Sequence, residues 1–247
     1  MNQEFLFIGH RGTRTDFDEN TISAFKKAIE FGSNYIEFDV RKTKDRKFII
    51  LHDATLDRTT NSSGLLRNYN CEDIRKIKTR CNNFDIPLLL EVLIELKGEI
   101  KFIIELKEED LRESIPKLIQ EHSLLEKCIF SGRRLRDLIY IRNNFPKSTI
   151  CYNITKGVDF KLKEFINLGG QKNLKFKPDF ISLKSNLISA EFIEICHENR
   201  ILSLAWDFLQ FKDSLYHIKL LIKMGINGIL FDDYKNIPKI KSWMNII

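Results

Sequence analysis

The sequence predicts an α/β fold: a (β/α)8 TIM barrel with a short hairpin extension and a cap inserted after the second strand. Three observations predict it. Strand-like apolar runs alternate with helical patterns along most of the chain. Eight of these runs count as barrel strands if one further run is taken as a hairpin arm. The length, 247 residues with 43% hydrophobic content, is that of a single barrel, which commonly takes about 250 residues. Residues 1–247 are therefore read as one domain.

The elements follow in order. Residues 4–9 form the first strand, and Thr21 to Phe31 puts Ile22, Phe25, Ala28 and Ile29 on one helical face. Asn20 or Thr21 caps that helix, and Gly32 ends it. Tyr35 to Val40 is the second strand and Phe48 to His52 the hairpin arm. A turn at Asp45-Arg46 would set residue 39 opposite residue 52. Residues 53–87 lack long periodicity, hold Asn61-Ser62-Ser63-Gly64 and a short helix candidate from Cys71 to Lys78, and are read as the cap. Alternation then resumes, with helices at 88–97, 109–122, 133–144, 159–168, 189–199, 212–224 and 236–245. The strands between them are 101–106, 127–131, 148–153, 179–183, 201–207 and 228–232. An open doubly wound sheet is the competing architecture, and the absence of a G-x-G-x-x-G turn argues against it.

Charged residues at strand ends carry the chemistry. Glu37 and Asp39 share one strand face, as do Glu105 and Lys107, because residues i and i+2 point the same way. Carboxylates there are costly unless paired, and a divalent cation with a phosphate would pair them. Two of the five histidines, His10 and His52, also stand at strand ends, in Gly9-His10-Arg11-Gly12 and His52-Asp53. His122, His197 and His217 lie within helical patterns and read as structural.

Composition excludes other classes. The five cysteines are odd in number and lack C-x-x-C spacing, so neither a disulfide framework nor a zinc site is expected. No apolar run reaches the roughly 18 residues of a membrane span, and residues 4–9 read as a strand rather than a signal peptide. A cytoplasmic setting is expected. The net charge of +6 is spread over short basic clusters at Arg75 to Lys78, Arg133 to Arg136 and Lys175 to Lys177, read as solvated helix faces. No continuous basic stripe with stacking aromatics supports a nucleic-acid partner.

The ordered motifs resemble the glycerophosphodiester phosphodiesterase family. The matching segments are His10-Arg11-Gly12, Glu19-Asn20-Thr21, Glu37-x-Asp39-Val40, His52-Asp53, Leu56-Asp57-Arg58-Thr59-Thr60 with Gly64, Ile86-Pro87 with Glu91, Glu105-Leu106-Lys107, and Gly225 to Gly228 with Asp232. The resemblance implies hydrolysis of glycerophosphodiesters to glycerol 3-phosphate and an alcohol, within lipid and glycerol metabolism. It implies that Glu37, Asp39 and Glu105 bind one divalent cation, that His10 and His52 are the general acid/base pair, and that Arg11 and Lys107 hold the phosphate. All-oxygen ligands suit Mg2+ or Ca2+, and imidazoles titrate where proton transfer is needed.

Trp206 is either a substrate-stacking wall or core filling; Asp53 is expected to orient His52 or tighten the turn rather than act as a ligand. Glu19 either bridges to the site or precedes the helix cap. The late segments depart from the family pattern: Trp206-Asp207-Phe208-Leu209 stands where relatives have Trp-Thr-Val-Asn, and Phe231-Asp232 where they have Thr-Asp. A phosphate- or metal-binding protein on the same scaffold would have no use for a histidine pair. A lysophospholipase D working at a membrane would favour an apolar cap, whereas residues 53–87 are mostly polar and no amphipathic anchor stands out. The expected partner is a small-molecule glycerophosphodiester, with the oligomeric state unspecified.

Overall fold

In the computed structural model, the described residues are 4–170 and 176–246; Lys175 of the third basic cluster lies outside them. β1 (Leu6–His10), α1 (Ile22–Glu30), β2 (Tyr35–Lys42) and β3 (Phe48–Ile50) open the chain. A short α2 (Cys71–Ile74) interrupts the loop that follows. Strands and helices then alternate: α3 (Leu89–Leu96), β4 (Lys101–Leu106), α4 (Leu111–Glu121), β5 (Cys128–Gly132), α5 (Leu135–Asn144), β6 (Thr149–Asn153) and α6 (Leu162–Asn167). The series ends with β7 (Phe180–Lys184), α7 (Ala190–Glu198), β8 (Leu202–Trp206), α8 (Ser214–Lys223), β9 (Gly228–Phe231) and α9 (Asn236–Met244).

Every barrel strand pairs in parallel with its neighbours in the order β1-β9-β8-β7-β6-β5-β4-β2, and β1 pairs with β2 to close the ring. The result is a TIM barrel. Strand pleat sorts the side chains into two cores. Leu6, Ile8, Ile103, Ile129, Cys151, Phe180, Leu204 and Leu230 point inward and plug the barrel. The alternate positions, among them Ile36, Phe38, Phe102, Phe130 and Ile229, pack outward against the helices. The plug stops below the C-terminal strand ends, and polar residues take over the inward positions there.

α1 shows how local sequence sets this up. The Thr21 hydroxyl accepts from the Ala24 N–H at 3.2 Å, so Thr21 rather than Asn20 is the cap. Ala24, Phe25 and Ala28 form the buried face. Gly9 makes the close approach possible, since a Cβ there would lie 2.8 Å from the Ala28 Cβ.

The hairpin differs from expectation by one residue. Val40 faces Ile50 and Lys42 faces Phe48, so residue 39 stands opposite residue 51. The loop is three residues long, with Thr43 N–H bonded to Lys47 O at 2.9 Å and Arg46 in the left-handed region at φ 63°. A three-residue loop with a left-handed last residue is a common alternative to the two-residue turn. β2 also runs two residues past its last pairing with β4, Val40 with Leu106, to carry the arm. Glu37 and Asp39 therefore sit inside β2 rather than at its end.

Residues 53–87 hold together by short bridges, such as Thr60 with Thr79 and Lys78 with Asp85. A small cluster of Leu56, Leu66, Ile74, Ile77 and Ile86 packs there against Ile49 and Leu51 of the hairpin. The helix candidate 71–78 stops at Ile74 because Lys76 and Ile77 bond to carbonyls three residues back. That tighter turn puts Ile74 and Ile77 both into the cluster. Elsewhere the helix ends move inward by up to three residues, with α6 beginning at Leu162.

Two smaller expectations also meet the structure. Arg134, in a cluster read as solvated, is 8% exposed and donates to Asp137 at 2.5 Å. His197 bonds Gly225 O at 3.0 Å and His217 stacks on Phe211 at 3.8 Å, both on helices. Among the described residues, no helix is long and apolar enough to cross a membrane.

Candidate active site

The polar mouth of the barrel is built strand by strand. β1 ends on His10, and the chain then turns sharply through Arg11 and Gly12, both with positive φ (53° and 78°). A left-handed arginine costs on the order of 1 kcal/mol. The turn recovers that cost by aiming the Arg11 N–H at Glu37 Oε2, 3.0 Å away. The Arg11 guanidinium then reaches Glu19 Oε1 at 2.7 Å and Asp39 Oδ2 at 3.3 Å. Asn20, also left-handed at φ 61°, donates from Nδ2 to Asp39 Oδ2 at 2.8 Å.

Glu37, Asp39 and Glu105 meet where β2 and β4 lie side by side, with Asp39 directly opposite Glu105. One carboxylate oxygen from each lies within 4.8 Å of the others. Lys107 Nζ stands 2.7 Å from both Asp39 Oδ1 and Glu105 Oε1. Burial, with Asp39 and Glu105 beside it, pushes the Glu37 carboxyl well above the usual carboxylate range. Burial acts on Asp39 too, but Lys107 and Arg11 outweigh it and hold that group well below its usual value. Three hard oxygen donors so close together, one of them driven toward protonation, fit a small divalent cation. Part of the compensating charge now comes from Lys107 and Arg11.

The two histidines are held alike. His10 Nδ1 lies 2.7 Å from Asp232 Oδ1, and His52 Nδ1 lies 2.6 Å from Asp53 Oδ1. Ionised carboxylates only accept, so each Nδ1 carries a proton and each Nε2 is the nitrogen left for proton transfer. Asp232 is 2% exposed and also accepts from the Phe208 N–H at 2.6 Å and from Arg14 at 3.0 Å. Against its burial, His10 and Arg14 hold Asp232 down at about 2. Burial, reinforced by Lys107 and Arg11 and opposed by Asp39, lowers the His52 imidazole to about 4. Arg58 closes the outer side, reaching Asp53 at 2.6 Å and Glu19 at 2.7 Å. Glu19 therefore bridges Arg11 to Arg58 at the site.

The pocket inside this ring is lined by His10, Arg11, Glu37, His52, Glu105 and Lys107, with Trp206 opposite. All of the sequence-derived site residues except the buried Asp39 line it, and Asp39 holds Arg11 and Lys107 from beneath. Trp206 stands edge-on to His10, 6.3 Å between ring centres, with Lys156 Nζ 5.4 Å over its ring. It also touches the inner plug, so wall and core readings of Trp206 meet in one residue.

Sequence reading placed Asp232 in the closing motif without a role, took Asn20 as a possible helix cap, and passed over Arg14. The first lies 222 residues from His10 and becomes its partner only when β9 closes against β1. Its place in the closing motif at the end of the last strand was the signal the sequence offered.

Comparison with known proteins follows the same lines. The sequence profile of the Glycerophosphoryl diester phosphodiesterase family matches residues 10–236. A "Glycerophosphodiester phosphodiesterase" of Caldanaerobacter subterraneus subsp. tengcongensis is 30% identical over 241 residues, covering 92% of this chain and 94% of that one. One of the same name from Bacillus altitudinis is 25% identical, covering 96% and 98%. Among solved structures, a glycerophosphodiester phosphodiesterase of Agrobacterium tumefaciens superposes with a TM-score of 0.80 at 19% identity, covering 96% and 99%. An Oleispira antarctica phosphodiesterase in complex with the product sn-glycerol-3-phosphate gives 0.76 at 20% identity, covering 97% and 96%. At such identities these two show the shared fold.

Proposed function

This chain belongs to the glycerophosphoryl diester phosphodiesterase family, and from that premise we propose that it hydrolyses glycerophosphodiesters to glycerol 3-phosphate and an alcohol. The observation that carries the mechanism is the pairing of two Nδ1-anchored imidazoles with one carboxylate trio around a single pocket. Glu37, Asp39 and Glu105 would hold one divalent cation, Mg2+ or Ca2+, which would polarise a non-bridging phosphate oxygen and offset the carboxylate charge.

The protein's own groups do the rest. Arg11 offers a planar fork and Lys107 a point charge to the phosphate. His10 and His52, each with a free Nε2, divide the proton work. One accepts at Nε2 a proton from the attacking water, or from a glycerol hydroxyl whose cyclic phosphate water then opens; the other enters the step as imidazolium and gives its Nε2 proton to the departing alkoxide, so one proton is taken up and one released. Asp232 and Asp53 hold the Nδ1–H of each ring, so that Nε2 is the nitrogen turned toward the reaction. Trp206 forms the wall facing His10, and the inner plug below keeps bulk water out. Residues 53–87, anchored through Arg58, act as the cap on the side of the alcohol.

The test is a panel of glycerophosphodiesters assayed for glycerol 3-phosphate release, after chelation and after readdition of Mg2+ or Ca2+. Release restored by the cation supports this reading. Full turnover in excess chelator, with metal content shown to be nil, removes the role of the trio. No release from any diester under either condition removes the function.

A further inference from the structure

The catalytic pocket opens into a second recess over the arc β2–β4–β5–β6, lined by Arg41, His52, Lys107, Arg133 and Lys156, with Glu105 and Leu106. Its charge is lopsided. Lys107 is occupied by Asp39 and Glu105, and Arg41 by Glu108 at 3.4 Å and by the His52 carbonyl at 3.0 Å. Arg133 and Lys156, one residue past β5 and three past β6, make no ion pair among the described residues. Lys156 is instead held over Trp206, and burial together with the Lys107 charge makes its ammonium easier to deprotonate. Two cations without an ion-pair partner among the described residues, with Lys156 crowded by Lys107 and Arg11 and only partly offset by Glu105 and Asp39, form a place that an anion relieves. The reacting phosphate already has Arg11 and Lys107, so this recess is surplus to it.

We propose that the recess binds a second anionic group carried by the substrate's own alcohol, so that the preferred diesters are those whose alcohol bears a phosphate. This rests on the phosphodiesterase reading. The charge enters beside the reacting phosphate, and Arg41, which also lines the basic groove between hairpin and cap, marks the direction in which a longer substituent continues.

The experiment compares glycerophosphoinositol with glycerophosphoinositol 4-phosphate, which release the same glycerol 3-phosphate and differ by one anionic group. The holoenzyme should favour the phosphorylated alcohol by about tenfold or more in kcat/KM, with a preference that shrinks as salt rises. The Arg133→Gln, Lys156→Gln double variant should erase most of that ratio, and Lys156→Arg in the Arg133 background should retain it. Inorganic phosphate should inhibit the phosphorylated substrate more weakly in the double variant. Equal kcat/KM for both diesters in the unmodified protein, or an equal loss on both in the double variant, overturns the inference while leaving the phosphodiesterase intact. Cleavage of neither diester overturns the phosphodiesterase reading and this inference with it.

Discussion

Asp232→Asn perturbs the site while barely changing its shape. Both Asp232 oxygens receive donors: His10 Nδ1 and Arg14 on Oδ1, and the Phe208 N–H on Oδ2. An amide offers one acceptor, so whichever way it turns, its NH2 meets a donor. If the oxygen keeps His10, the Phe208 N–H is orphaned inside the fold. If it keeps Phe208, the amide donates to His10 Nδ1, the neutral ring's proton moves to Nε2, and that nitrogen can no longer accept a proton. Asp232 is held at about 2 against an ordinary 3.8, which at 1.36 kcal/mol per unit is about 2 kcal/mol of stability at neutral pH. The folded pKa is the lower one, so this contribution is full above pH 3.8 and fades as pH falls toward 2. The variant should melt about 4–8 °C lower at pH 7, with the gap narrowing below about pH 4. Its kcat should fall by about 10²–10⁴-fold, the range of a lost general acid or base. Calorimetry and glycerol 3-phosphate release across pH measure both. A variant that melts lower yet keeps kcat within about threefold would refute the positioning of His10, because a purely structural carboxylate loses stability alone.

The remaining predictions concern the trio and its neighbours. Because Glu37 is pushed toward protonation by burial, Asp39 and Glu105, Mg2+ binding should tighten as pH rises through the elevated Glu37 pKa and release a proton below it; calorimetry in buffers of different ionisation enthalpy would show none if this is wrong. His10→Ala and His52→Ala should each lower kcat by about 10²–10⁴-fold, and the double variant should lose little more than the worse single one. Near-normal rates in either, with the circular dichroism unchanged, would return that histidine to a structural part. Lys107→Ala should depress kcat/KM by a similar factor, about 10²-fold, on every diester, since the phosphate is common to all; a loss that varied with the alcohol would move Lys107 away from the phosphate.

Much of the barrel was legible because each strand and helix announces itself over a short window. The pleat places Glu37 with Asp39, and Glu105 with Lys107, without any knowledge of the fold. The hairpin register was one residue off because the period of two fixes faces but not loop length, and the loop is set by Arg46 entering the left-handed region. Arg134 looked solvated for a similar reason: sequence shows its charge, and only packing shows Asp137 beneath it.

The sequence by itself determined the layer order of the barrel, the identity of the carboxylate trio and the two histidines at strand ends. The element order and the shared faces follow from periodicities of two and 3.6 residues, which are local; that the trio and the histidine pair belong to one site is what the family resemblance implies. Ring closure decided the rest. Asp232 reaches His10 across 222 residues only because β9 pairs with β1. Likewise, Arg133 and Lys156 share a recess with Lys107 only because β4, β5 and β6 stand side by side with their loops on one rim. Such contacts depend on which strand ends become neighbours, and no local pattern encodes that.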